Sequence, residues 1–108
     1  MSMSKRYRAA HDKYFANNPR AVAEIESVNL KMLENIGVTL EEWRINQRYL
    51  AFAKAAEAYG LEVDEFVIRL VAESPEQAQA WRLERHRKTA DNLGISWDDY
   101  KQLNYIPD

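Results

Sequence analysis

Cysteine is absent from this chain, which removes disulfides, thiol catalysis and thiolate metal sites together. Glycine and proline are nearly as scarce, with three of each among 108 residues. No segment alternates apolar and polar residues between turn signals, and no Asn-Gly or Asp-Gly pair marks a hairpin, so strands are not expected. No apolar run approaches the roughly 18 residues that cross a bilayer. The first 15 residues carry Lys5, Arg6, Arg8 and Lys13 without the apolar stretch of a secretory signal. A cytoplasmic, membrane-free protein is the expectation. Neither sign of charge dominates: 15 basic and 17 acidic side chains leave a formal net charge of −2. Nucleic-acid binders usually show a basic excess, because phosphate neutralisation supplies much of their affinity. Nucleic acid is therefore a disfavoured partner here.

What the chain does hold suits one helical domain over 1–108. Hydrophobic residues make up 46% and charged residues 30%, within the globular range. The rare glycines and prolines punctuate. Asn18-Pro19 and Ser74-Pro75 place a capping side chain before a proline at the first helical position, where its missing N–H costs nothing. Gln77 completes a capping-box pattern with Ser74. The segment Asn35-Ile36-Gly37-Val38-Thr39-Leu40-Glu41-Glu42-Trp43 matches Asn92-Leu93-Gly94-Ile95-Ser96-Trp97-Asp98-Asp99-Tyr100 position by position, and Ala58 to Phe66 repeats it more weakly around Gly60. In each copy glycine closes one helix in the left-handed conformation, and the following acidic pair favours the next helix start.

This punctuation predicts helices at about 5–17, 19–35, 40–59, 63–73, 75–93 and 97–104. The fold class is all-α: an irregular orthogonal bundle of about six short helices joined at glycine-centred corners. Helical periodicity puts Ala21, Ile25, Val28, Met32 and Ile36 on one stripe of the second helix. In the third, Ile45, Tyr49, Phe52 and Ala56 share a side, with Trp43 and Leu50 on another. The fourth adds Val63, Phe66, Val67, Leu70 and Val71. These residues form the expected core.

Function is less legible. The corner around Gly94 has the spacing of a helix-turn-helix, yet Asp98 and Asp99 would stand where base edges and phosphates lie. His11 and His86 are the two histidines. Neither has a histidine or carboxylate at i+3 or i+4, the spacing that a helical metal site uses. No phosphate loop, nucleophile elbow or cofactor fingerprint occurs. Hence no catalytic residue, metal or cofactor is assigned, and the chain is not expected to be an enzyme. On the fifth helix Trp81, Arg85, Lys88 and Asn92 share a side opposite Leu83, His86, Ala90 and Leu93. Arg85 is spaced to stack on the Trp81 ring, and a tryptophan among arginines is a common interface anchor. Trp81, Arg85 and Lys88, with Trp97 and Tyr100 of the last helix, are the candidate partner surface. The favoured reading is a protein-interaction or regulatory module, with homodimerisation as one outcome. The alternatives are a helix-turn-helix DNA-binding regulator and a small enzyme or metal protein using His11 and His86.

From Ala72 to Asn104 the chain reads Ala-Glu-Ser-Pro-Glu-Gln, then Arg-Leu-Glu-Arg-His, then Leu-Gly-Ile-Ser-Trp-Asp-Asp-Tyr and Leu-Asn. This stretch resembles a family of roughly hundred-residue uncharacterised helical proteins of Pseudomonas and related gammaproteobacteria, with looser similarity back to His11. The resemblance implies a free-standing bacterial cytoplasmic protein and carries over no activity and no functional residue.

Overall fold

The computed structural model describes residues 3–106, with side chains from 4 onward. Among them are seven helices and no strand: α1 (Met3–Ala16), α2 (Pro19–Glu26), α3 (Leu30–Ile36), α4 (Leu40–Ala58), α5 (Val63–Val71), α6 (Pro75–Leu93) and α7 (Trp97–Leu103). No described helix is long and apolar enough to cross a membrane. The chain packs as two compact units, one running through Val71 and the other from Ala72 onward.

The expected helix at 19–35 is two helices. Ser27 closes α2 and donates its hydroxyl to the Glu24 carbonyl at 2.7 Å. Asn29 opens α3, its side-chain oxygen accepting from the Lys31 and Met32 amides at 2.9 and 3.3 Å. Serine and asparagine thereby offer the backbone local partners in place of continued helix. The break also dissolves the single stripe. Ile25 and Leu33 are buried, whereas Met32 and Ile36 are exposed.

Gly37 and Gly94 cap α3 and α6, and Gly60 follows the Tyr59 cap of α4; all three glycines have φ between 70° and 75°. At Gly94 the turn satisfies two carbonyls, through Gly94 N–H to Asp91 O and Ile95 N–H to Ala90 O. A Cβ added there would meet nothing within 4 Å, so backbone conformation alone selects glycine. The turn after α7 has the same shape, with Ile106 N–H donating to Lys101 O at 2.9 Å. There Tyr105 holds φ 56° with its side chain 93% exposed. Left-handed backbone is costly for a side chain that gains no packing in return. Tyr105→Gly is therefore expected to stabilise this turn by about 1 kcal/mol, discounted for glycine's freer unfolded state. Slower amide exchange at Ile106 would show the gain, and faster exchange would refute it.

In the first unit the core is Ala10, Phe52, Ala56, Phe66 and Val67, flanked by Tyr7, Tyr14, Ala55, Leu61, Val63, Leu70 and Val71. Helix α1 lies against α5, where the Lys13 ammonium donates to the Leu70 carbonyl at 2.7 Å. That contact supplies a partner for a helix-end carbonyl lacking one within its helix. Helix α4 is tied to α2 by the Trp43 indole N–H on Ile25 O at 3.0 Å and by Arg44, whose Nε approaches both Glu26 oxygens at 2.8 and 2.9 Å. Only half of the expected α4 stripe is core. Phe52 and Ala56 are fully buried, but Ile45 is 62% exposed and Tyr49 56%, and Leu50 is exposed as well.

In the second unit, α6 begins with Ser74 accepting from the Gln77 amide at 3.1 Å. The Gln77 side chain reaches back to the Glu73 amide rather than to that of Ser74, a one-residue variant of the expected box. Helix α7 packs on α6, with Tyr100 as its buried residue.

Candidate functional site

The first unit carries several clefts, and what separates them is whether their polar atoms are already paired. One is lined by Tyr14, Asn18, Tyr59, Leu61, Phe66 and Arg69 among others. There the Asn18 amide donates to Tyr14 O, and Arg69 Nε bonds to Glu65. A second lies over Ile25, Trp43 and Leu50, and its indole N–H is bonded to Ile25 O. These groups find their partners within the protein.

The third cleft runs between α1 and α4 and encloses about 650 Å³. Ser4, Tyr7, Arg8, His11 and Asp12 line it from α1, and Ile45, Arg48 and Tyr49 from α4. Tyr7 and His11 are one helical turn apart, so they share a face. Their rings stand 4.5 Å apart, and the His11 ring lies 4.3 Å from Phe52 and 5.7 Å from Phe15. The Arg48 guanidinium sits 5.6 Å from the centre of the Phe15 ring. Aromatic walls thus pack against these half-buried side chains.

Three polar atoms here are buried without a hydrogen-bond partner: the Tyr7 hydroxyl, His11 Nε2 and Arg48 Nε. Leaving such a group unsatisfied costs roughly 1–3 kcal/mol, more when it is charged, so native proteins rarely do so without a reason. Burial lowers the His11 pKa from its ordinary value; Arg48 pushes the same way and Asp12 opposes it. Burial also raises the Tyr7 phenol, with a further contribution from Tyr49. Both shifts favour the neutral forms.

The His11 shift fixes the sign of a pH effect. Its folded pKa lies below the unfolded one, so the unfolded chain takes up a proton first as pH falls. The stability associated with neutral His11 is complete above the unfolded pKa and declines as pH drops through the folded pKa. His11→Gln is therefore expected to lose less stability than the native chain between pH 7.5 and 5, measured by urea unfolding. Parallel losses in the two proteins would contradict this.

The surface expected from sequence falls in the second unit and is only partly open. Trp81 and Arg85 are half-buried on α6 and Lys88 is exposed. Trp97 is half-buried, stacked on Tyr100 at 5.7 Å and 15°. The Arg87 guanidinium lies 4.9 Å from the centre of the Trp97 ring, joining α6 to α7. Tyr100, named with that surface, lies mostly inside the second unit. It is only 6% exposed, and its hydroxyl lies 2.9 Å from His86 Nδ1. The aromatic content of α7 serves packing first. Asp98 and Asp99 stand exposed at the start of that helix.

His11 and His86 belong to different units, each with neighbours of its own. No group of three potential metal-binding side chains occurs among the described residues. Sequence reasoning noted His11 but missed Arg48 as its neighbour. The usable signal was the Tyr7/His11 spacing opposite an α4 face that carries arginine between Ile45 and Tyr49.

Comparison with known proteins gives one positive result. Residues 1–106 match the family model described as a family of unknown function, DUF6388. No curated protein and no solved structure matches the chain.

Proposed function

The chain belongs to that family of unknown function, so no activity comes to it from a relative, and from its own geometry we propose that it is a non-catalytic protein-interaction module. One observation carries the reading: three side chains that line one cleft each hold a buried, unpaired polar atom, beside the exposed apolar side chains of Ile45 and Tyr49. A partner seated there supplies the missing hydrogen bonds and covers the apolar rim, which is how interface anchors usually gain affinity. The cleft replaces the Trp81 face as the primary contact surface. Arg85, Lys88 and Trp97 remain a second surface of lower rank, since Trp97 is already stacked and covered by Arg87.

A cytoplasmic bacterial setting and orthogonal helix crossings at the glycine turns belong to the same proposal. The DNA-binding reading is ranked below it, because the exposed carboxylates that open α7 would face phosphate. The metal or enzyme reading ranks lower too, because each histidine has local aromatic neighbours in its own unit.

A photoreactive benzophenone amino acid in place of Tyr49, introduced in the cell that makes the protein, tests this. A discrete adduct is expected on illumination, absent when the probe instead replaces exposed Glu57. An adduct at twice the 12.6 kDa chain mass would assign the cleft to a second copy of the chain. No adduct from position 49 would overturn the proposal.

A further inference from the structure

The character of the unpaired atoms narrows what the cleft receives. The Tyr7 hydroxyl and Arg48 Nε–H are both donors. His11 Nε2 becomes a third donor when the ring carries a proton there, as one neutral tautomer and the cation both do. Asp12 is the one carboxylate in the lining, and none of the three donors is bonded to it, so together they suit an anion with more than one oxygen. Lining charge agrees, since Arg8 and Arg48 outweigh Asp12. Among anions, a carboxylate fits best: it is planar, presents two oxygens, and pairs with guanidinium through directed hydrogen bonds. The flanking surface is apolar, formed by Ile45 and Tyr49.

We propose that the cleft between α1 and α4 is a carboxylate-binding site, in which Tyr7, His11 and Arg48 take an acidic side chain of a partner protein while Ile45 and Tyr49 pack against an apolar residue beside it. This rests on the interaction reading above and specifies its chemistry. The partner segment is acidic and amphipathic, with its carboxylate about one helical turn from its apolar contact, matching the side-by-side arrangement of donors and apolar rim. Proton linkage follows from the same geometry. The groups facing His11 are Tyr7, Arg8 and Asp12 from α1 and Arg48 and Tyr49 from α4. An incoming carboxylate adds negative charge to this set and favours His11 protonation. Binding therefore takes up a proton and strengthens as pH falls towards the His11 midpoint.

Two small probes separate the charge from the shape. In amide-resolved NMR titrations of the full chain, 3-phenylpropionate is expected to shift the resonances of Tyr7, His11, Arg48 and Tyr49. The neutral 3-phenylpropanamide should bind at least about tenfold more weakly, the scale of a charge-assisted hydrogen bond. Arg48→Gln should lower acid affinity by about ten- to a hundredfold and Tyr7→Phe by a smaller factor, neither lowering the thermal midpoint, since each removes an unsatisfied buried group. Equal affinity for acid and amide, or no shift at saturating acid, would overturn the carboxylate site. If the Tyr49 cross-link nevertheless forms, the interaction reading survives that failure.

The source of the carboxylate is read by competition. An acetylated helical peptide with leucine and glutamate four residues apart should displace the acid, and its glutamine counterpart should not. Displacement by neither peptide, with the acid still bound, would make the ligand a free organic acid. The partner reading would then fall while the site stood.

Discussion

Phe52→Ala is expected to unfold the helices through Val71 under conditions where the native chain is fully folded. Phe52 is completely buried, and its ring lies 5.5 Å from Tyr7, 4.3 Å from His11, 5.8 Å from Tyr14 and 5.1 Å from Phe66. It is the point at which α1, α4 and α5 share a core. Truncating a buried phenylalanine costs about 3–5 kcal/mol, from lost burial and the cavity left behind. That is a large part of the roughly 5–15 kcal/mol that stabilises a domain. At about 4–8 °C per kcal/mol for a unit of this size, the thermal midpoint should fall by at least about 12 °C. Leu50→Ala, on the exposed side of the same helix, should change stability by about 0.5 kcal/mol or less. Comparable losses in the two variants would mean that α4 is buried differently from the arrangement described. Because Phe52 also backs His11, this loss should remove 3-phenylpropionate binding with the fold.

Tyr100→Ala should have the second-largest effect, confined at first to α7. A seven-residue helix does not persist alone in water, and Tyr100 is the buried residue of this one. Its ring stacks on Trp97, and its hydroxyl reaches His86 on α6. Without the ring, α7 keeps the Ser96 cap on the Asp99 amide at 3.1 Å, worth only about 1 kcal/mol. Amides of α7 should then lose their exchange protection entirely, while α6 retains part of its own. Tyr100→Phe keeps the ring and gives up the His86 contact, so it should cost only about 1 kcal/mol. A protected α7 in the alanine variant would show that something other than Tyr100 holds it.

Much of the helical plan was legible in the sequence because capping is local chemistry. Ser74-Pro75 and Ser96 stand where the described helices begin, and Gly37 and Gly94 where two of them end. The missed break at Ser27–Asn29 was equally local. Asparagine and serine were present, but the apolar period through Val28 hid them, and periodicity was given precedence over capping signals. Burial along α4 was harder to read. Ile45 and Tyr49 follow the same spacing as Phe52 and Ala56, and a 3.6-residue period cannot reveal how far along the helix its neighbours extend. The cleft was less accessible still. Tyr7 and His11 are visibly one turn apart, but their lack of hydrogen-bond partners depends on what α4 brings opposite them. The contact of Arg87 with Trp97 crosses two helices, which a stripe along one helix does not reveal.

The interaction account depends on Tyr7, His11 and Arg48 being dehydrated and unpaired until an acidic group arrives. Nitrogen chemical shifts of the His11 ring, followed against pH without and with 3-phenylpropionate, address this directly. The account predicts a titration below the ordinary imidazole range in the free protein, moving upward when the acid is bound. An ordinary midpoint that stays fixed when the acid is added would contradict it.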